Sequence, residues 1–113
     1  MSLEIYFKPI RSIEFSKNSL GSVIDSHVNS FPLWESSDIV LLTINENRGS
    51  SIKSNNKMDH YSIRNKFYNF KWEGALTISD LGILDSGSTV KDTYSALKEI
   101  TFEIQKKSKL LVL

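Results

Sequence analysis

Ile39-Val40-Leu41-Leu42-Thr43-Ile44 carries the strongest fold signal in the sequence. It is an unbroken run of β-favouring and leucine residues with no apolar/polar alternation. Such a run is the mark of a strand covered on both faces, the usual state in parallel sheets. Parallel strands need crossover connections, most often helices. Downstream, Asn45 to Lys57 is polar, contains Gly49 and reads as a loop. From Met58 to Phe70, the positions Met58, Tyr61, Phe67, Tyr68 and Phe70 suit a short helix, with Asp59 as its N-cap. Ala75-Leu76-Thr77-Ile78-Ser79-Asp80 reads as a second strand, ended by Leu81-Gly82.

The clearest helix runs from about Val90 to Lys107. Tyr94, Leu97, Ile100, Thr101 and Ile104 recur on one face at three- and four-residue spacings. Ser88 or Thr89 can cap it. Asp92 lies in the first turn and Lys106, Lys107 and Lys109 at the far end, as the helix dipole favours. Leu110-Leu111-Val112-Leu113 then reads as a third apolar strand. The order strand, helix, strand, helix, strand predicts an α/β fold. Three parallel strands are expected near 38–44, 75–80 and 110–113, joined by right-handed crossovers, with the first strand in the middle. An apolar third strand would form an open edge, which natural domains seldom leave uncovered, so the reading is of a truncated front part.

Upstream, residues 1–37 read as a variable N-terminal arm, and 38–113 as the ordered α/β part. Ser16, Ser19, Ser22, Ser26, Ser30, Ser36 and Ser37 leave the arm little periodicity, with a short extended piece at Leu20 to Ile24. The 113 residues suit one domain. With 14 Lys plus Arg against 13 Asp plus Glu, the net charge of +1 lacks the concentrated basic face of a nucleic-acid or membrane-surface binder. No apolar run approaches a membrane span, and the start lacks the pattern of a signal peptide. The absence of Cys excludes disulfides and thiolate chemistry. A cytoplasmic location is expected.

Four groups of residues invite a chemical reading. Gly82 to Thr89 has the glycine spacing of a phosphate loop. Ser88 stands where the loop lysine belongs, however, and Asp85 opposes phosphate, so a β-to-α connection accounts for it better. His27 and His60 have no partner ligands at helical spacing, and Arg64 follows His60 by four residues; both histidines read as surface residues. Asp80 and Asp85 form a carboxylate pair without an accompanying base or nucleophile. Trp34, Tyr61, Phe67, Tyr68, Phe70 and Trp72 have no basic stripe among them and read as packing residues. The best substrate-loop candidates are Glu46, Asn47, Arg48 and Gly49, directly after the first strand, where ligands of open α/β sheets bind. Arg48 can fork to a carboxylate and Gly49 permits a tight turn. No catalytic or metal-ligating residue is assigned.

One combination of segments resembles a known family. Asp38 to Ile44 followed by Asn45-Glu46-Asn47-Arg48-Gly49, then Ser62-Ile63-Arg64-Asn65-Lys66-Phe67-Tyr68, is similar to the opening of the arginase/agmatinase/formimidoylglutamase (ureohydrolase) family. Ile78-Ser79-Asp80-Leu81-Gly82, Gly87-Ser88-Thr89 and Asp92-Thr93-Tyr94-Ser95-Ala96-Leu97 resemble that family's Asp-Leu-Gly strand end and the helix after it. The resemblance covers about residues 38–113. It implies a three-layer α/β/α fold with a mostly parallel sheet, present here as its front part. It also implies a full-length parent that hydrolyses a guanidino or formimino C–N bond with two manganese ions. The family's metal ligands lie in Gly-Gly-Asp-His, Asp-Ala-His-x-Asp and Asp-x-Asp motifs. None occurs in this sequence, so the chain alone is expected to be inactive and to carry no cofactor.

The expected partners are a small guanidino or formimino substrate for the parent and further copies of the chain, with no nucleic acid and no membrane. Two other readings stand beside this one. The first is a small self-contained α/β interaction module that associates through an open sheet edge. The second is a nucleotide-binding domain using the Gly82 to Thr89 loop.

Overall fold

The computed structural model describes residues 3–44, 60–84 and 90–112. Ile39–Ile44 forms the strand its sequence predicts, β3, with Val40, Leu41 and Leu42 fully buried. On one side it pairs in parallel with β4 (Ile78–Leu84), and on the other with β5 (Lys109–Val112). The expected parallel trio with the first strand in the middle is therefore present. The sheet is larger than that trio. β1 (Phe7–Lys8) pairs antiparallel with the second half of β4, and β2 (Ile24–Ser26) pairs in parallel with its first half. The result is a mixed five-stranded sheet, four strands in the order β1-β4-β3-β5 and β2 beside β4.

Side-chain alternation along β3 separates two cores. Val40 and Leu42 join Ile100 and Ile104 of helix α2 (Val90–Gln105), together with Leu3, Phe7, Trp34, Leu81 and Leu84. Leu41 points the other way, to Tyr68 of helix α1 (His60–Tyr68), with Ile10, Leu20 and Ile78. One helix thus packs against each face. Residues 3–37 supply side chains to both cores, although no helix or strand period marks them. β2 begins at Ile24, and Leu20–Val23 before it is a 3₁₀ turn rather than extended chain.

Two expectations shift in detail. β4 does not end at Leu81-Gly82 but runs through it. Leu41 pairs with Asp80 and Leu42 with Gly82, so Leu81 is the extra residue of a bulge. Gly82 has φ +98°, and a Cβ there would lie 2.3 Å from the Lys8 carbonyl oxygen. Glycine thus lets β1 close on the bulge, and the bulge lets the strand continue past a residue pair that reads as a stop. In α2 the inward stripe is Thr93, Ala96, Leu97, Ile100 and Ile104. Tyr94, expected on that face, is 56% exposed. The small Thr93 and Ala96 let the helix approach the sheet, and the tyrosine ring stays outside.

Candidate functional site

The most concentrated polar chemistry lies on the α1 face of the sheet. In β4, Ile78 and Asp80 point to this face, one into the apolar core and the other beneath α1. A carboxylate there must be paired, because an ionised group removed from water without partners is strongly disfavoured. α1 supplies the partners from successive turns: Arg64 and Tyr68, four residues apart, share one side of the helix. Arg64 donates from Nε to Asp80 Oδ2 at 2.9 Å and from Nη2 to Asp80 Oδ1 at 2.8 Å, and both side chains are 0% exposed. This two-pronged geometry is the strong form of the guanidinium–carboxylate contact.

The surrounding groups complete the cluster. The Tyr68 hydroxyl donates to Asp80 Oδ2 at 2.6 Å and lies 2.6 Å from Ser26 Oγ of β2. With the tyrosine proton committed to the carboxylate, Ser26 is the donor in that second contact. The Gly82 amide donates to Asp80 Oδ1 at 3.0 Å, and the Gly82 carbonyl accepts from Arg64 Nη2 at 3.2 Å. Thr43 of β3 accepts from Arg64 Nη1. Each Asp80 oxygen therefore receives two donors. Burial, then the charge of Asp80 and its hydrogen bond, raise the Tyr68 pKa far above that of an ordinary tyrosine. Among the described residues no buried side-chain polar atom lacks a partner. With two donors on each oxygen, the Asp80 carboxylate has no free lone pair to offer a substrate; the cluster holds α1, β2, β3 and β4 in one register.

The residues singled out from the sequence fall around this cluster unevenly. Glu46, Asn47, Arg48 and Gly49, together with Asp59, Asp85 and the Gly87 to Thr89 stretch, lie outside the described residues. Asp80, read as half of a carboxylate pair, is instead the partner of Arg64. His27, read as a surface residue, is 7% exposed. Its Nδ1–H donates to the Leu81 carbonyl at 2.8 Å, and Phe31 packs against its ring in a T-shaped contact at 5.1 Å. The bulge explains this burial, since the irregular turn of β4 presents a carbonyl that β2 pairing leaves for a side chain to satisfy. Trp34 and Tyr68 are packing residues as expected, whereas Phe70 is largely exposed.

The Arg64–Asp80 pair is the feature sequence reasoning missed. Its signal was present: a carboxylate directly between Ile78-Ser79 and Leu81, in a run otherwise fit for burial, demands a cation, and Arg64 sits one turn before Tyr68. The two manganese ions implied by the ureohydrolase resemblance can be tested against these residues. Among the described residues no group of three or more His, Cys, Asp or Glu converges, and the Asp80 oxygens are already saturated. The described residues do not fit a dinuclear site, and no hydrolytic step is derived from them. No helix among them is long and apolar enough to cross a membrane. Comparisons with protein-family models, curated proteins and solved structures find no match for this chain.

Proposed function

We propose that this chain is the front part of a ureohydrolase-like α/β domain of the three-layer arginase type, a structural half that has no activity alone. In this reading the full-length parent hydrolyses a guanidino or formimino C–N bond, and a manganese pair supplies the activated water. One observation carries the proposal. Ser62 to Tyr68 and Ile78 to Gly82, two of the separate segments that resemble the family, meet in space through the Arg64–Asp80 pair. The ion pair fixes α1 against β4, the two elements that carry these segments. The parallel order β4-β3-β5, with a helix on each face, also supports the reading. A cytoplasmic location, a small guanidino or formimino substrate and assembly with further copies belong to the same proposal. Glu46 to Gly49 remain its substrate-loop candidates.

The test pairs two samples. Titrating the 113-residue chain with manganese in a calorimeter should give no stoichiometric heat, and the chain should release no ammonia or urea from guanidino or formimino compounds. The chain continued by its own downstream coding sequence should do so only when manganese is present. Turnover by the short chain, or none by the continued one, contradicts the proposal.

A second reading, a self-contained module that associates through its sheet edge, draws on β5. That strand ends the sheet order, and Val112 on it is 46% exposed. An edge of this kind is a template for pairing with another chain. Sedimentation at rising concentration tests it: association that Val112→Lys weakens favours this reading, and a monomer at high micromolar concentration removes it.

A further inference from the structure

Just past the end of α1, two segments of chain enclose a cleft of about 470 Å³ lined by Lys17, Asn18, Lys71, Trp72 and Glu73. Main-chain contacts pin its walls. Trp72 N–H donates to the Asn18 carbonyl at 3.0 Å and Leu20 N–H to the Phe70 carbonyl at 2.9 Å, on either side of a bridge between Ser19 and Lys71. Ser16 N–H donates to Asn69 Oδ1 at 2.9 Å, and Asn69 Nδ2 donates to the Glu14 carbonyl at 3.1 Å. Asn18 has φ 62° and is the one non-glycine residue with positive φ among the described residues. Asparagine tolerates this conformation, and the turn sets Lys17 and Asn18 on the same hollow as residues 71–73. The lining is not used by the fold. Trp72 is 36% exposed and belongs to neither core. The chain passes close beside its ring, since a Cβ at Gly74 would lie 3.4 Å from Trp72 Cζ2. Lys17, Lys71 and Glu73 are exposed, and among the described residues none of their charged groups is in an ion pair.

We propose that this cleft binds a small dianion carried on a flat ring, of the chemical class of a nucleoside monophosphate. Two ammoniums against one carboxylate leave the cleft positive, and lysine serves phosphate as a point charge. The indole gives a planar ring a surface to stack on, a contact that depends little on which ring it is. Glu73 accepts from hydroxyl or amino groups of the ligand, and the Asn18 amide both donates and accepts. Because the charged groups are exposed, salt screens them and binding weakens as ionic strength rises. The site uses none of the residues from Gly82 to Thr89, and the inference does not rest on the proposed function.

Titrating the whole chain with adenosine monophosphate, followed by amide NMR shifts, tests it. The shifts should saturate with a Kd of about 1 mM or below and centre on residues 16–20 and 69–74. Inorganic phosphate, which lacks the ring, should bind about tenfold more weakly, and Trp72→Leu should weaken the monophosphate by a similar factor. Lys17→Met combined with Lys71→Met leaves both cores untouched and should weaken it by about five- to tenfold. The proposal is overturned if the shifts do not saturate, if they centre elsewhere in the chain, or if the double lysine variant binds as tightly as the parent. Inorganic phosphate binding as tightly as the monophosphate would equally overturn it, because the indole would then have no part in the site.

Discussion

Asp80→Asn changes one oxygen to an NH2 group and almost nothing in volume, yet the geometry makes it a severe change. Oδ1 accepts from Arg64 Nη2 and the Gly82 amide; Oδ2 accepts from Arg64 Nε and the Tyr68 hydroxyl. Whichever way the asparagine amide turns, its nitrogen faces two donors and can accept from neither. Arg64 also keeps its charge at 0% exposure and loses the carboxylate that its fork grips. Breaking one partner of a buried pair destabilises by about 3–5 kcal/mol. That is a large part of the roughly 5–15 kcal/mol that holds a typical domain together. At roughly 4 °C per kcal/mol, the melting midpoint should fall by about 12–20 °C. Urea unfolding followed by tryptophan fluorescence reads the effect, since Trp34 is buried in the α2-side core. Replacing both partners, Arg64→Met with Asp80→Leu, should recover much of the loss, because no uncompensated charge then remains. An Asp80→Asn chain within about 1 kcal/mol of the parent would refute the reasoning, the value expected of an exposed pair.

Three further outcomes follow from the same structure. The raised Tyr68 pKa means that the folded chain keeps this proton while the unfolded chain releases it above about pH 10. The stabilisation is therefore whole below that pH and is lost above it, by about 1.4 kcal/mol per pH unit. Tyr68→Phe should remove this part of the alkaline slope between pH 9 and 11 in urea titrations, and an unchanged slope would count against the buried hydroxyl. Gly82→Ala should destabilise by about 2 kcal/mol or more, because φ is +98° and the new Cβ meets the Lys8 carbonyl oxygen; thermal melts check it. Ile100→Ala, at a wholly buried position between α2 and the sheet, should lower stability by about 2–5 kcal/mol in the same melts, and a negligible change would mean that α2 does not pack there.

How legible each part was in the sequence depended on how local its cause is. β3 was readable because six consecutive apolar or β-branched residues leave few alternatives. α2 was readable from its periodicity, although the inward face was misjudged. There the structure places Thr93 and Ala96 against the sheet and Tyr94 outside, a choice of packing distance that hydrophobicity alone does not show. β1 and β2 are two and three residues long and exist because the outer edge of β4 offers them partners. Their information lies about fifty residues or more away along the chain, so no local pattern could reveal them. His27 was read as exposed for the same reason, since its partner is a carbonyl set free by a bulge in β4. The ion pair stood between these cases. Asp80 in an apolar strand announces a need, but the choice of Arg64 over another cation is settled only by the way α1 lies across the sheet.

Reading the coding frame past Leu113 tests the proposal that these residues form the front of a ureohydrolase-like domain. In the proposed reading the first metal-ligand motif follows β5, so the genomic frame should continue into a Gly-Gly-Asp-His-like segment. The Asp-Ala-His-x-Asp and Asp-x-Asp motifs should follow further on. A natural stop codon after Leu113, or a continuing frame without those ligand motifs, would contradict it.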